Sequence, residues 1–464
     1  MDASSTAAIA VEDLRGRVRG AVATPGDPDY DALRACWNRS YDQRPDVIVE
    51  AADADDVVAA LAWAHTHALP VAVQSTGHGA GTTIDAGLLL KTSRLDDVTV
   101  DADARTATVG AGARWSDVLE KTALHGLAPL LGFSAGVGVV GYTLGGGLGW
   151  LGRAYGMAVD SVRALDVVTP DGRRVSTTPT EEPDLFWALR GAGAAFGAVV
   201  AIELSLVEPG PLTGGTIFYP GERATEVIAA YADWTSTLPE TVTSSVAILR
   251  VPPDPAIPAP LRGRTVVMIG LCAIADPVET DRLLAPIRAL GEPIADLVRP
   301  LGVGELGEVA MDPTDPMPTW GHADLVEDLT PEIQALLAGT AEGEQPLAVV
   351  EARQLGGAFA REREPSAAAR PQAGFVFHAE AVAPPGPQGE PARQAIQALA
   401  DAIGPHAQPG LPPSFIGEAE PGADHTALCF SPATRARLIT LQRRYDPDRR
   451  FRFGRVVVAP EWGA

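Results

Sequence analysis

The residues best placed to do chemistry lie between Val71 and Gly81, which read V-A-V-Q-S-T-G-H-G-A-G. The apolar run Pro70–Val73 predicts a strand that leaves its sheet into a turn of small residues: Ser75, Thr76, Gly77, Gly79, Ala80 and Gly81. Glycines without a Cβ let several backbone N–H groups converge on one anion, as phosphate-holding nests do. A single imidazole, His78, stands in that turn. Such a histidine is either a hydrogen-bonded structural residue or a group within reach of whatever the amides hold. A second glycine-rich stretch, Gly132–Gly149, carries glycines at 136, 138, 141, 145, 146, 147 and 149, a density that argues against ordinary helix or strand. Two such loops in the first third of the chain predict one extended, phosphate-bearing cofactor gripped from two sides.

Candidate acid–base chemistry appears later, in Gly374-Phe-Val-Phe-His-Ala-Glu-Ala-Val382. On a strand, Val376, His378, Glu380 and Val382 share one face, and Phe375, Phe377, Ala379 and Ala381 the other. Glu380 and His378 are the first candidates for acid or base, against a solvated edge as the alternative. A second run, Val349-Val-Glu-Ala-Arg353, places Glu351 and Arg353 on one face, as a further candidate or an internal salt pair. His322, His406 and His425 lie in loop-like contexts and are expected to be exposed.

The order of these motifs resembles the berberine-bridge-enzyme-like oxidases of the vanillyl-alcohol-oxidase superfamily, with its PCMH-type FAD-binding domain. The matching residues are Asp29-Tyr30, Trp37-Asn38, the strand Val47–Ala51, the loop Gln74–His78, the block Gly141–Gly156 with Asp160 behind it, and Tyr445–Phe453 near the end. The resemblance covers about residues 29 to 205 and 413 to 453. It implies an FAD bound covalently through His78, with Ser75, Thr76, Gly77 and Gly79 around it. It also implies Val137, Gly138, Gly141, Tyr142, Gly145, Gly146 and Gly149 of the second loop, and Gly197 and Val199, as cofactor-binding residues. Ser134 falls where relatives carry a second, cysteinyl link, so a single link is expected, and none of Cys36, Cys272 and Cys429 is positioned to replace it. Tyr142 takes the place of a donor near the flavin pyrimidine, either as a catalytic group or as a cap on its own loop. Val137 implies access for O2 and hence release of hydrogen peroxide.

The chain also departs from the family pattern. Gln74 replaces an arginine, Ala195 an asparagine in Gly191–Gly197, and Ser414 an asparagine before Phe415. Gly454 and Val456 replace two further asparagines. The reading that fits best is an FAD-dependent oxidase acting on a small organic substrate in bacterial specialised metabolism. A flavin-containing but non-redox cyclase or rearrangement catalyst stays open, as does a flavin-free binding protein.

Composition sets the outer bounds. With 464 residues there is room for several domains and a large core. The net charge of −23, with Lys91 and Lys121 the only lysines, argues against nucleic-acid and anionic-membrane partners. Three scattered cysteines do not form a disulfide framework, and no histidine or cysteine spacing predicts a metal site. No signal peptide or apolar run of ~20 residues is visible, so a cytoplasmic protein, monomer or homodimer, is expected.

The elements that must position these residues follow from periodicity. Strand and helix alternate over the first ~205 residues, with an amphipathic helix at Asp53–Ala68, a short one at Ser116–Leu124, another at Pro183–Leu189 and a hairpin turn at Asp171-Gly172. The middle holds strands at Gly215–Phe218, Val242–Leu249, Thr265–Leu271, Leu347–Ala352 and Phe375–Val382. Helices are expected at Arg223–Leu238, Pro277–Leu290 and Pro331–Leu337, with loops at Val251–Pro260 and Pro384–Pro391. A last helix runs from Ser431-Pro432 to Tyr445. The expected architecture is α+β: an FAD-binding domain over 1–208 (core about 43–208), a substrate-binding domain over 209–410 built on an antiparallel sheet covered by helices, and a segment, 411–464, that returns to the first domain.

Overall fold

The computed structural model describes residues 11–193, 195–417 and 425–454. Three sheets organise the chain. The first has four strands in spatial order Ala21–Ala23, Val47–Glu50, Leu88–Lys91, Val71–Gln74, parallel except for the first pair. The second, of five antiparallel strands, runs Val98–Asp101, Thr106–Gly110, Ala198–Ser205, Val162–Val168, Arg174–Thr177. The third is a nine-stranded antiparallel sheet drawn from residues 212–408. The molecule is therefore α+β, as its residue patterns predict.

Local chemistry explains the helices. Ala54–Thr66 starts at Asp53, whose side chain accepts from the amides of Asp55 and Asp56. Asp56 is not the exposed first-turn acid its position suggests. It is buried and accepts from the amides of Arg19, Gly20 and Ala52, each at 2.8 Å. Thr330 caps Pro331–Gly339 by accepting from Ile333 N, and Asp276 caps Pro277–Arg288 through Glu279 N. Asp171-Gly172 forms the expected turn, with Gly172 N donating to Thr169 O at 2.8 Å.

The large sheet separates its two faces as the alternation requires. Phe375, Phe377, Ala379 and Ala381 join Val350, Ala352, Val246 and Ile269 in a core closed by helices Ala224–Thr235, Pro331–Gly339 and Glu390–Ile403. Val376 turns the other way, into the core shared with Phe133, Trp150 and Leu355. The chain end packs back onto the first sheet: Val71 N donates to Arg450 O at 2.7 Å, and Phe451 is buried with Val49 and Leu90.

Several expectations need correction. Val139–Leu144 is a short helix inside the glycine-rich stretch, flanked by Gly138 and Gly145 and with Gly141 in its middle. His322 lies on a strand, Thr319–Val326, not in a loop, and its Nε2 sits 2.6 Å from Asp324 Oδ2. The loop read at Pro384–Pro391 gives way to helix Glu390–Ile403, which tolerates Pro391 in its first turn. His406 ends a short 3-10 turn and is half-buried. His425 opens a helix, Glu-free in its first turn, but its side chain and Val456 lie outside the described residues.

Candidate active site

The two glycine-rich loops meet. A Cβ on Gly138 would stand 3.2 Å from Ser75 Oγ and 3.6 Å from Thr76 Oγ1, so the second loop comes close against the first. Val137 O accepts from Trp115 N, and Val139 N donates to Ala113 O, which ties the second loop to the start of helix Trp115–Thr122. Gly77 has a left-handed φ of +79°, and a Cβ there would lie 2.4 Å from Cys36 Cβ. That glycine lets the first loop turn against Cys36–Asn38. Trp37 N and Asn38 N then bond to Thr76 O and Gly77 O. Cys36 backs the loop, but its Sγ is turned to Asn38 O at 2.9 Å.

His78 is gripped from two sides. Its Nδ1 lies 2.7 Å from Thr76 Oγ1, and its ring stacks on Trp37 with centroids 4.3 Å apart. Burial, with a smaller push from the Arg114 guanidinium, lowers its pKa to about 4, while the Glu380 carboxylate pulls the other way. At neutral pH the imidazole is therefore uncharged, and Nε2 keeps a hydrogen-bonding or nucleophilic role open. Thr319 N donates to Asn38 Oδ1 at 3.1 Å and Ser40 Oγ to Ala383 O at 2.7 Å, which ties the ends of two large-sheet strands to the segment that backs the His78 loop.

The polar face of the large sheet carries a connected charge cluster. Glu351 and His378 are cross-strand partners, and His378 also faces Ala323 on the next strand. Glu351 Oε1 lies 2.5 Å from Arg353 Nη2 and 3.0 Å from His378 Nδ1, and His378 Nε2 lies 3.5 Å from Glu380 Oε1. Burial alone would raise the Glu351 pKa, but Arg353 and His378 outweigh it and bring it down to about 2. Burial likewise opposes protonation of His378, yet its bonds to Glu351 and Glu380 raise it to about 9. Burial would also raise Glu380, and His378 lowers it overall. Arg353 stacks over Phe133 at 4.0 Å, and Phe415 lies edge-on to His378 at 6.4 Å.

The remaining sequence candidates fall into place around this centre. Gly141 and Tyr142 lie on helix Val139–Leu144. Space beside Gly141 is open, whereas the Tyr142 hydroxyl donates to Leu148 O at 2.5 Å and is held protonated by burial. Tyr142 thus caps its own loop and keeps only acceptor capacity free. Gly145, Gly146 and Gly149 line the turn after this helix. Ser414 accepts from Gly147 N at 3.1 Å and donates its own amide to Gly145 O at 3.0 Å. Ser414 thus anchors the tail in spite of replacing an asparagine. Gln74 bonds to Ala35 O at 3.0 Å. Gly197 packs on Val168 O and Val199 pairs with Val167, inside the five-stranded sheet. The next residue, Val200, accepts from Ala111 N, so one short segment, 111–113, links that strand to the second loop. Among the described residues no group of three or more histidine, cysteine or acidic side chains could hold a metal ion.

Sequence reasoning passed over Arg114 and Asp312, which act electrostatically on His78 and on the Glu351–His378 cluster respectively, and it named Trp37 only as part of the Trp37-Asn38 match, without its stacking on His78. Neither Arg114 nor Asp312 belongs to a motif with chemistry of its own.

A flavin dinucleotide fits this arrangement: two glycine-rich loops face each other, space beside Gly141 is open, and an uncharged imidazole stands in the first loop. Comparison with known proteins agrees. Residues 45–178 match the FAD binding domain family. The chain is 28% identical to (R)-6-hydroxynicotine oxidase of Paenarthrobacter nicotinovorans, over 94% of this chain and 96% of that protein. Its structure is similar to that of 6-hydroxy-D-nicotine oxidase from Arthrobacter nicotinovorans, with a TM-score of 0.81 at 25% identity, covering 96% and 98% of the two chains. The fold is also shared with BBE-like 1 of Physcomitrella patens, with a TM-score of 0.83 at 17% identity over 97% and 99%. No described helix is long and apolar enough to cross a membrane. Residues 45–178 thus carry an FAD binding domain, and over nearly its whole length the chain is similar to FAD-linked oxidases.

Proposed function

We propose that the protein is an oxidase that carries FAD on His78 through a single covalent bond. In this reading it takes a hydride from a small organic substrate and passes the electrons to O2, releasing hydrogen peroxide. One observation carries the reading: the His78 loop, the Gly138 loop and the polar strand face with Glu351, His378 and Glu380 come together in one place. Residues 1–208 and 411–464 would hold the cofactor, and 209–410 would supply the substrate-facing sheet.

Bound flavin supplies the hydride acceptor and the route to O2. The protein's part is to fix the ring, hold charge and move a proton. The low basicity of His78 keeps its lone pair available for bond formation at neutral pH. Glu380 is ionised and more exposed than its partners, so it is the group assigned to accept a substrate proton. His378, kept protonated by Glu351, would steady the negative charge left beside the cofactor. Val137, half-buried in the second glycine-rich loop, would leave space for O2. Anaerobic mixing with alcohols and amines tests the reading. A matching substrate should bleach the flavin, and air should restore the colour with release of one peroxide per turnover; colour that air fails to restore would contradict an oxidase.

A further inference from the structure

The His78 ring is fixed in its turn, and one of its two nitrogens is already engaged. Trp37 sets the plane: its indole stacks on the imidazole with centroids 4.3 Å apart and planes 17° from parallel. Trp37 is itself held twice, since its backbone N donates to Thr76 O at 3.0 Å and its Nε1 to Thr314 O at 3.3 Å. Thr76 sets the orientation within that plane, with Oγ1 2.7 Å from His78 Nδ1. A half-turn about Cβ–Cγ would keep the stack but exchange Nδ1 for a carbon and lose that bond. Nε2 has no hydrogen-bond partner among the described residues.

The hydroxyl decides which nitrogen can react. Burial keeps the imidazole uncharged, so it carries a single proton on one nitrogen. If Thr76 donates, its O–H occupies the Nδ1 lone pair, the ring proton sits on Nε2, and neither nitrogen is nucleophilic. If Thr76 accepts, the proton sits on Nδ1 and the free lone pair is on Nε2. In neither arrangement is the Nδ1 lone pair free. The backbone N–H of His78 also faces Thr76 Oγ1, at 3.5 Å, and a hydroxyl oxygen has lone pairs for both donors.

We propose that Thr76 directs flavin attachment to Nε2 of His78, accepting the Nδ1 proton before the bond forms and donating its own hydroxyl to Nδ1 afterwards. Thr76 is thus a positioning residue, and the assignment rests on the reading of His78 as the attachment site. In the step, one C–H bond of the flavin 8-methyl group breaks, its proton leaves and its electron pair passes into the ring. The Nε2 lone pair forms the new C–N bond, and Nδ1 releases its proton. The ring, now two electrons reduced, gives those electrons to O2, which takes up the two protons as hydrogen peroxide.

The test uses the flavin-bearing protein. A proteolytic flavin peptide from wild type is read by proton–carbon correlation NMR. The methylene that joins flavin and imidazole should correlate with two proton-bearing carbons, Cδ2 and Cε1, as a link at Nε2 requires. Correlation with Cε1 and the bare Cγ would mark a link at Nδ1 and overturn the proposal, with the covalent oxidase left standing. Thr76→Val keeps the shape of the side chain and removes the hydroxyl. Its fraction of chain heavier by one FAD should fall about tenfold, the size expected for one lost hydrogen bond in the reacting state. FAD released by acid should make up the difference, and Thr76→Ser should restore the adduct and its Nε2 linkage. Wild-type adduct content in Thr76→Val overturns the proposal. If that variant holds no FAD of either kind, the wild-type linkage decides alone. A wild-type chain with no adduct overturns the proposal and the covalent reading beneath it.

Discussion

At the scale of single residues, charge placement decides what the site can do. The Glu351 carboxylate, fixed by Arg353, is what keeps His378 protonated well above the range of an ordinary imidazole. The sign of a mutation follows directly. Glu351→Gln removes an anion that favours the charged ring while burial remains, so the His378 pKa must fall from about 9 toward or below its ordinary 6.5. A pH profile of kcat/KM should lose its alkaline limb near 9 and acquire one at least about one pH unit lower. An unmoved limb would remove His378 from the mechanism. Val137 offers a second handle: Val137→Leu adds a methylene in the second glycine-rich loop, and should slow flavin re-oxidation by air about tenfold or more while anaerobic bleaching keeps its rate. Equal slowing of both steps would argue that the side chain shapes the substrate pocket instead.

At the scale of elements, the site depends on turns that only particular residues can make. Gly77→Ala must place a methyl group 2.4 Å from Cys36 Cβ at a φ of +79°. The cost is about 1–3 kcal/mol of local strain, and it should appear as poor FAD incorporation rather than as global unfolding. By contrast Thr330→Ala, which removes one cap bond far from the site, should cost about 1 kcal/mol in denaturant titration and leave flavin content untouched. Elements with strong periodicity were legible in the residues. The alternation of Phe375–Val382 separated a face that packs on helices from its polar opposite, and the Thr330 cap marked the start of Pro331–Gly339. Strand Thr319–Val326 was not legible. Its run T-W-G-H-A-D-L-V puts Gly321, His322 and Asp324 where propensity disfavours a strand. The strand is also covered from afar: a Cβ on Gly417 would lie 2.2 Å from Gly321 O, so glycine is required at 417, a contact 96 positions apart that no local pattern records.

At the scale of the whole molecule, the cofactor-holding and substrate-facing parts are joined by buried polar contacts as well as by apolar packing. Arg370, on the segment leading into the large sheet, forms two bonds of 2.7 and 2.5 Å with Asp160, which itself accepts from Met157 N behind the second glycine loop. Asp160→Asn leaves the Arg370 guanidinium buried without its counter-charge and should cost about 3 kcal/mol, measured as a lower denaturation midpoint. A midpoint unchanged from wild type would show that the junction is held by packing alone. The resemblance carried by Trp37-Asn38, Gln74–His78 and Gly141–Gly156 disclosed the cofactor, because close backbone approach demands glycine and leaves a record in the sequence. The claim on which everything else stands is the bond between His78 and the flavin, and the mass of the denatured intact chain tests it most directly. The account predicts wild-type protein heavier by one FAD and His78→Ala at the mass of the bare polypeptide, its colour released on acid precipitation. A wild-type chain at bare mass, or an adduct that persists in His78→Ala, would contradict it.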